Sequence, residues 1–219
     1  IFGKVIWDFD YPHDSGPAHD SLADWITHTV EAAKKSSALF LVKPHPHEEM
    51  VGISGIPNER FIDLLPAELP ENMLLLGGDW LNTRDLIPYL DLGVVWAGTV
   101  ELDLGINGVP VLACSDWGSY DYPVGFCSPK NREDYELLLR EPKTVTKPEN
   151  CEERCVDLLR YMASDEILVP YLYYRRSTTN DFIIPKWYSE QVEKFFNEGD
   201  DYIEQLARRF FQDRPEHPA

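Results

Sequence analysis

LGVVWAGTVELDLGINGVPVLACSD, residues 92–116, decides the fold class. An apolar run, LGVVWAG (92–98), leads into a helix-spaced run, TVELDLGING (99–108), and then into a second apolar run, VPVLACSD (109–116). Gly108-Val109-Pro110 ends the helix and starts the next strand. The pattern is strand, helix, strand. Strands that are apolar throughout need cover on both faces, which is the condition of a parallel sheet with crossover helices.

The same alternation extends outward. FGKVIWDF (2–9), ALFLVKPHP (38–46) and NMLLLGGD (72–79) read as strands, and YPVGFCSP adds a short last one. SLADWITHTVEAAKK (21–35) reads as an amphipathic helix with Ser21 as its N-cap. TRDLIPYL (83–90) and NREDYELLLRE (131–141) read as further helices, and HEEMVGI and NERFIDLLP carry weaker helical patterns. The expected class is α/β, a Rossmann-like doubly wound parallel sheet over residues 1–142. EPKTVTKPEN (141–150), with two prolines, reads as a linker or surface loop. Residues 143–219 are expected to form a C-terminal helical extension packing on that domain. It would hold a helix near 151–164, a Tyr-rich connection and a helical tail broken at Gly199.

The chain has 219 residues, enough for one large domain or one domain with an appendage. It opens on Ile1, and a strand begins almost at once, so a piece of a longer protein, or a processed or trimmed chain, is expected. Twenty Lys and Arg face 38 Asp and Glu, a net charge of −18. Such a surface repels nucleic acid and anionic membranes, so a nucleic-acid partner is not expected. An anionic small ligand then needs a local pocket of cations and N–H groups. Of the four cysteines, Cys151 and Cys155 are four apart, with no second pair at metal-ligand spacing. They read as buried or free thiols in a reducing compartment, with no metal site. No signal peptide and no apolar stretch of membrane-spanning length is visible.

In a doubly wound sheet, ligands bind beyond the carboxyl ends of the strands. LVKPHPHEE (41–49) places Lys43 and His45 there, in a turn stiffened by Pro44 and Pro46. A cation and an imidazole held rigidly at a strand end suit phosphate or pyrophosphate. The run 92–116 adds Gly98 and Thr99, with Thr99 expected as the N-cap of a helix whose first N–H groups receive an anion. Glu101, in the first turn, is expected to accept hydrogen bonds from a ribose diol. Ser15 and Gly16, with Asp8, Asp10 and His13, belong to the loop after the first strand and are expected to line the cleft. Tyr120 and Tyr122 are candidates for stacking on a base or sugar.

K-P-H-P after a strand, followed by G-T-x-E-x-D-x-G-x-x-G-x-P-V, resembles the capsular-polysaccharide biosynthesis glycosyltransferases, including Kdo transferases. More distantly it is similar to bacterial sialyltransferases of the GT-B type. VIWDFDYPHDSGPAHDSLADWITHTVEAA also resembles the opening of that family's nucleotide-binding half, with Trp25 in the helix. The resemblance covers roughly residues 3 to 140. It implies the donor-binding half of a GT-B enzyme that moves a sugar from a nucleotide sugar, CMP-linked or another, to a polysaccharide or glycolipid. His45 would contact the donor phosphate and stabilise the leaving group. Lys43 would support it, Gly98 and Thr99 would hold the phosphate, and Glu101 would bind the ribose. No permanently bound cofactor or metal is implied. An amino-terminal acceptor-binding half is expected outside this chain, and the location implied is cytoplasmic, peripheral membrane attachment included. The family often has Ser-Ser or Gly-Ser where this chain has Gly98-Thr99.

Two other classes compete. One is a non-catalytic domain that senses a nucleotide or glycan. The other is a haloacid-dehalogenase-type phosphatase, because VIWDFD (5–10) ends a strand in Asp8 and Asp10. That chemistry also needs an acidic pair for Mg²⁺, and Asp79 and Asp85 are more widely spaced than the usual motif.

Overall fold

The structure is a computed structural model that describes residues 1–4, 6, 14–46, 48, 60–77, 81–116, 122–163, 174–179, 182–201 and 204. The chain divides into two compact units, Ile1–Met162 and Ala163–Ala219.

Among the described residues the first unit has four three-residue strands: β1 (Phe40–Val42), β2 (Met73–Leu75), β3 (Gly93–Val95) and β4 (Val111–Ala113). β1 pairs with β2 and β3 with β4, both in parallel. Phe2 joins the two pairs through parallel bridges to Lys43 and Val95, and Leu112 bridges Cys127. The joints are hydrogen-bonded: Gly3 N–H donates to the Lys43 carbonyl at 2.8 Å, and Phe2 N–H to that of Val94 at 3.0 Å. Across the ladder the order is therefore 73–75, 40–42, residue 2, 93–95, 111–113, residue 127.

Successive strand residues face opposite sides, and two cores result. Ile1, Val94, Leu112 and Cys114 pack with α1 (Leu22–Ala33) and α4 (Arg132–Arg140). Phe2, Val95 and Val111 pack with α2 (Thr83–Leu86) and α3 (Val100–Ile106). In α1, Leu22, Trp25, Ile26, Thr29, Val30 and Ala33 recur at helical spacing and are buried. Ser21 caps it as expected, its Oγ accepting from Asp24 N–H at 3.2 Å. Trp25 lies between Trp96 and Phe61, with ring centroids 5.5 and 6.3 Å away. Thr29 Oγ1 and Tyr135 Oη, 2.6 Å apart, join α1 to α4 in the interior.

α5 (Cys151–Met162) belongs to the first unit, although the sequence puts the domain boundary at 142/143. Cys151 and Cys155 pack with Leu102 of α3 and with Val124. A Cβ on Gly105 would come 2.5 Å from Cys155 Sγ, so glycine there permits the close approach of α3 and α5. The stretch read as a linker buries Val145. All four cysteines are free thiols. Burial, with Cys151 beside it, pushes Cys155 up to about 12, far from a reactive thiolate.

In the second unit an antiparallel hairpin, β5 (Tyr174–Thr179) with β6 (Phe182–Trp187), occupies what reads in sequence as a connection. Pro185 argues against a strand, because it removes a ladder donor. In a hairpin each strand is an edge, and an edge tolerates proline. α6 (Ser189–Glu198) follows and ends at Gly199, φ 75°, the break expected there. The sequence expectation of an all-helical extension omits this hairpin. Among the described residues, no helix is long and apolar enough to cross a membrane.

Candidate functional site

A cavity of about 290 Å³ opens at the carboxyl end of the ladder, near the lower limit of small-molecule sites. Three chain segments build it. The first strand segment contributes Phe2, Gly3 and Lys4; the end of β1 contributes Lys43, Pro44, His45 and Pro46. The end of β3 and the start of α3 contribute Ala97, Gly98, Thr99, Val100 and Asp103, and Thr83 and Tyr122 complete the wall. Parallel strands deliver all their carboxyl ends to one side, so residues distant in sequence converge here.

Four expected site residues meet in this cavity: Lys43, His45, Gly98 and Thr99. Gly98 has φ +155°, and a Cβ on it would meet nothing within 4 Å, so this backbone borders open space. Tyr122 lines the wall, while Tyr120 lies outside the described residues. The K-P-H-P turn is fastened from behind. Glu48 N–H donates to the His45 carbonyl at 3.0 Å, and the Glu48 carboxylate accepts from Phe61 N–H at 2.8 Å. Burial raises the Glu48 pKa, against the opposing pull of the Phe61 and Ile62 N–H groups.

Lys4 joins the cation cluster from a position that the sequence does not single out. Its Nζ lies 2.7 Å from Asp14 Oδ2, and the Trp96 indole N–H donates to the same oxygen at 2.6 Å. Asp14 is 1 % exposed and Lys4 8 %. A strand position, a loop carboxylate and a β3-end indole thus fix one ammonium group at the cavity wall. The sequence signal is faint: a lone lysine inside an apolar opening run.

Other expectations are placed elsewhere. Glu101 is fully buried in α3 and is not on the cavity lining; Asp103 is. Helical spacing explains the exchange. Residues four apart share a face, as Thr99 and Asp103 do, whereas residues two apart do not. Thr99 is helical (φ −58°, ψ −19°) and makes no side-chain cap bond. Glu101 and Leu102 N–H groups donate to the Gly98 and Thr99 carbonyls, so the first turn uses its own donors and the expected N-cap anion seat is not formed that way. Ser15 and Gly16 dock on the end of β4 instead of lining the cavity. Asp116 N–H donates to the Ser15 carbonyl at 2.9 Å, and a Cβ on Gly16 would lie 1.9 Å from the Cys114 carbonyl oxygen. Asp8, Asp10, His13 and Asp79 lie outside the described residues. Among the described residues, no group of three His, Cys, Asp or Glu could hold a metal ion.

Comparison with protein-family models, with curated proteins and with solved structures gives no match to this chain.

Proposed function

We propose that residues 1–162 are a Rossmann-like nucleotide-binding domain, the donor-binding half of a GT-B glycosyltransferase acting on a nucleotide sugar. One observation carries the reading: Lys4, Lys43 and His45 converge with Gly98 and Thr99 on one cavity at the carboxyl end of a parallel ladder. The ladder order adds support. With residues 2 and 127 counted as strand positions, the segments numbered along the chain run 3-2-1-4-5-6. That is the order of doubly wound dinucleotide folds, which bind ligand where the order reverses, beside segment 1. Lys4 belongs to segment 1, and the ends of segments 2 and 4 flank it.

The chemistry asked of this half is modest. Lys43 and His45 hold the phosphate by charge-assisted hydrogen bonds, which strengthen as the sugar–phosphate bond breaks and negative charge builds on the leaving phosphate. Tyr122 offers a flat face to base or sugar. The sugar passes to a polysaccharide or glycolipid acceptor held by another half of the enzyme, on the cytoplasmic side where activated sugars are available.

Calorimetric titration of the chain with CMP, CDP, UDP, GDP and CDP-glycerol, beside His45→Ala, tests the reading. Binding of one nucleotide, weakened in the variant, supports it and names the base; no binding to any of them sinks it. A phosphatase would instead release phosphate in the presence of Mg²⁺ and lose that activity in Asp8→Asn, with nucleotide affinity independent of His45.

A further inference from the structure

We propose that Asp103, and not Glu101, is the carboxylate that accepts the ribose hydroxyls of the ligand, so that the cavity reads a ribonucleotide and not merely a phosphate. The inference rests on the cavity being a nucleotide-sugar site.

Among the described residues one lining residue is acidic, Asp103, and it stands beside the cavity's cations. Lys4, Lys43 and His45 suit an anion, and a carboxylate beside them repels one. If phosphate were the whole ligand, Asp103 would only weaken binding. Asp103 is half-buried on the wall, and its hydrogen bonds are made by its backbone: the N–H donates to the Thr99 carbonyl at 3.3 Å and the carbonyl accepts from the Asn107 side-chain amide at 2.7 Å. Its carboxylate therefore has no ion pair or hydrogen bond among the described residues and keeps its acceptor capacity for a ligand. An ionised carboxylate offers acceptors only, so it suits hydroxyl donors.

Spacing points to the same use. Thr99 and Asp103 are one helical turn apart on one face of α3, a rise of about 6 Å. A ribose 5′-phosphate bridges such a span, with its phosphate toward the cations and Thr99 and its vicinal hydroxyls toward Asp103. Glu101 faces the other way: it is fully buried among the residues that join α3 to the rest of the unit, and its charge bears on the thiols of Cys114 and Cys155.

The test measures binding of CMP, UDP and GDP, their 2′-deoxy counterparts and inorganic pyrophosphate. The wild type is compared with Asp103→Asn and Glu101→Gln, each checked for folding by thermal melting. The wild type should prefer at least one ribonucleotide to its deoxy form by about tenfold, the worth of a hydrogen bond to a charged group. Asp103→Asn should erase that preference while leaving pyrophosphate as tight or tighter, since a repelling charge is gone. Opposite signs for the two ligands separate a hydroxyl contact from a general electrostatic effect. A folded Asp103→Asn that keeps the ribose preference overturns the assignment and leaves the nucleotide site standing. So does a wild type that binds nucleotides without regard to the 2′-hydroxyl. Loss of the preference in a folded Glu101→Gln alone restores the role to Glu101. A wild type that binds neither nucleotide nor pyrophosphate overturns the site itself, and the assignment with it.

Discussion

The two ends of the parallel ladder carry cavities of nearly equal size and opposite chemistry. At the carboxyl end, about 290 Å³ is walled by Lys4, Lys43, His45, Thr99 and Asp103. At the amino end, about 270 Å³ is walled mostly by apolar groups, Ile1, Leu39, Phe40, Leu92 and Leu139 among them. Volume thus says little about function here. The difference comes from direction: every strand runs the same way, so residues just after strands gather at one end and residues just before them at the other. Lys43, His45 and Thr99 come after β1 and β3, and Leu39 and Leu92 come just before them. The carboxyl end gathers charged and polar side chains, and the amino end gathers mostly apolar ones.

The comparison breaks most visibly at Asp14. Asp14→Ala removes one side of the buried Lys4–Asp14 ion pair, which should cost about 3–5 kcal/mol of stability. Urea unfolding measures the loss, and nucleotide affinity should fall with it because Lys4 loses its Asp14 contact at the cavity wall. At the other end, Leu139→Ala opens space beneath the apolar cavity and should cost about 2–5 kcal/mol. Its nucleotide affinity should stay within twofold of wild type under folding conditions; a larger change would mean that the two ends are not independent.

One source of acid sensitivity is the layer between α1 and α4. There His19 lies against the Tyr135 ring, 4.7 Å between centroids, with His28 Nδ1 2.9 Å from its Nε2. Burial, helped by His28, lowers the His19 pKa from 6.5 to about 4. The unfolded chain takes up a proton below pH 6.5, and the folded one resists until near pH 4. Stability is therefore whole above about 6.5 and is lost as pH falls toward 4, by up to about 3 kcal/mol. Unfolding free energies across this window should fall less steeply in His19→Gln.

His45→Ala comes next in size. It should weaken nucleotide binding by about 1.5–3 kcal/mol, ten- to a hundredfold, with thermal stability nearly unchanged. The smallest effect belongs to Leu39→Lys at the rim of the apolar cavity. Leu39 is 70 % exposed, so stability should move by no more than about 0.5 kcal/mol and affinity not at all. A loss of binding there would give the amino end a role that its chemistry does not suggest.

α3 shows how much of the site the sequence carries. Strand, helix and strand over 92–116 are legible because apolar runs and helical spacing are local signals, and the βαβ reading brings Gly98 and Thr99 to the carboxyl end. Asp103 was also within reach, since it stands four residues after Thr99 on the same helical face. Glu101 draws attention because it lies in the first turn of the helix, two residues after Thr99. The hairpin at 174–187 was hidden by Pro185, whose edge position is set by pairing and not by composition. The 142/143 boundary came from a polar, proline-bearing stretch, whereas α5 stays with the first unit because Gly105 lets its cysteines approach α3.

From the sequence alone came the alternation of strands and helices, the parallel direction of the strands, and the delivery of Lys43, His45, Gly98 and Thr99 to one end. Each of these follows from periodicity and from what residues do to their near neighbours. Only the tertiary structure decided that Lys4 lies beside that group, that Asp14 and Trp96 hold it, and that Asp103 replaces Glu101 on the wall. Asp14 and Trp96 are 82 residues apart, and the Trp96 indole meets the Lys4 ammonium at one Asp14 oxygen. Such a meeting is enforced by strand order and by the need to pair a buried charge, neither of which leaves a local pattern in the chain.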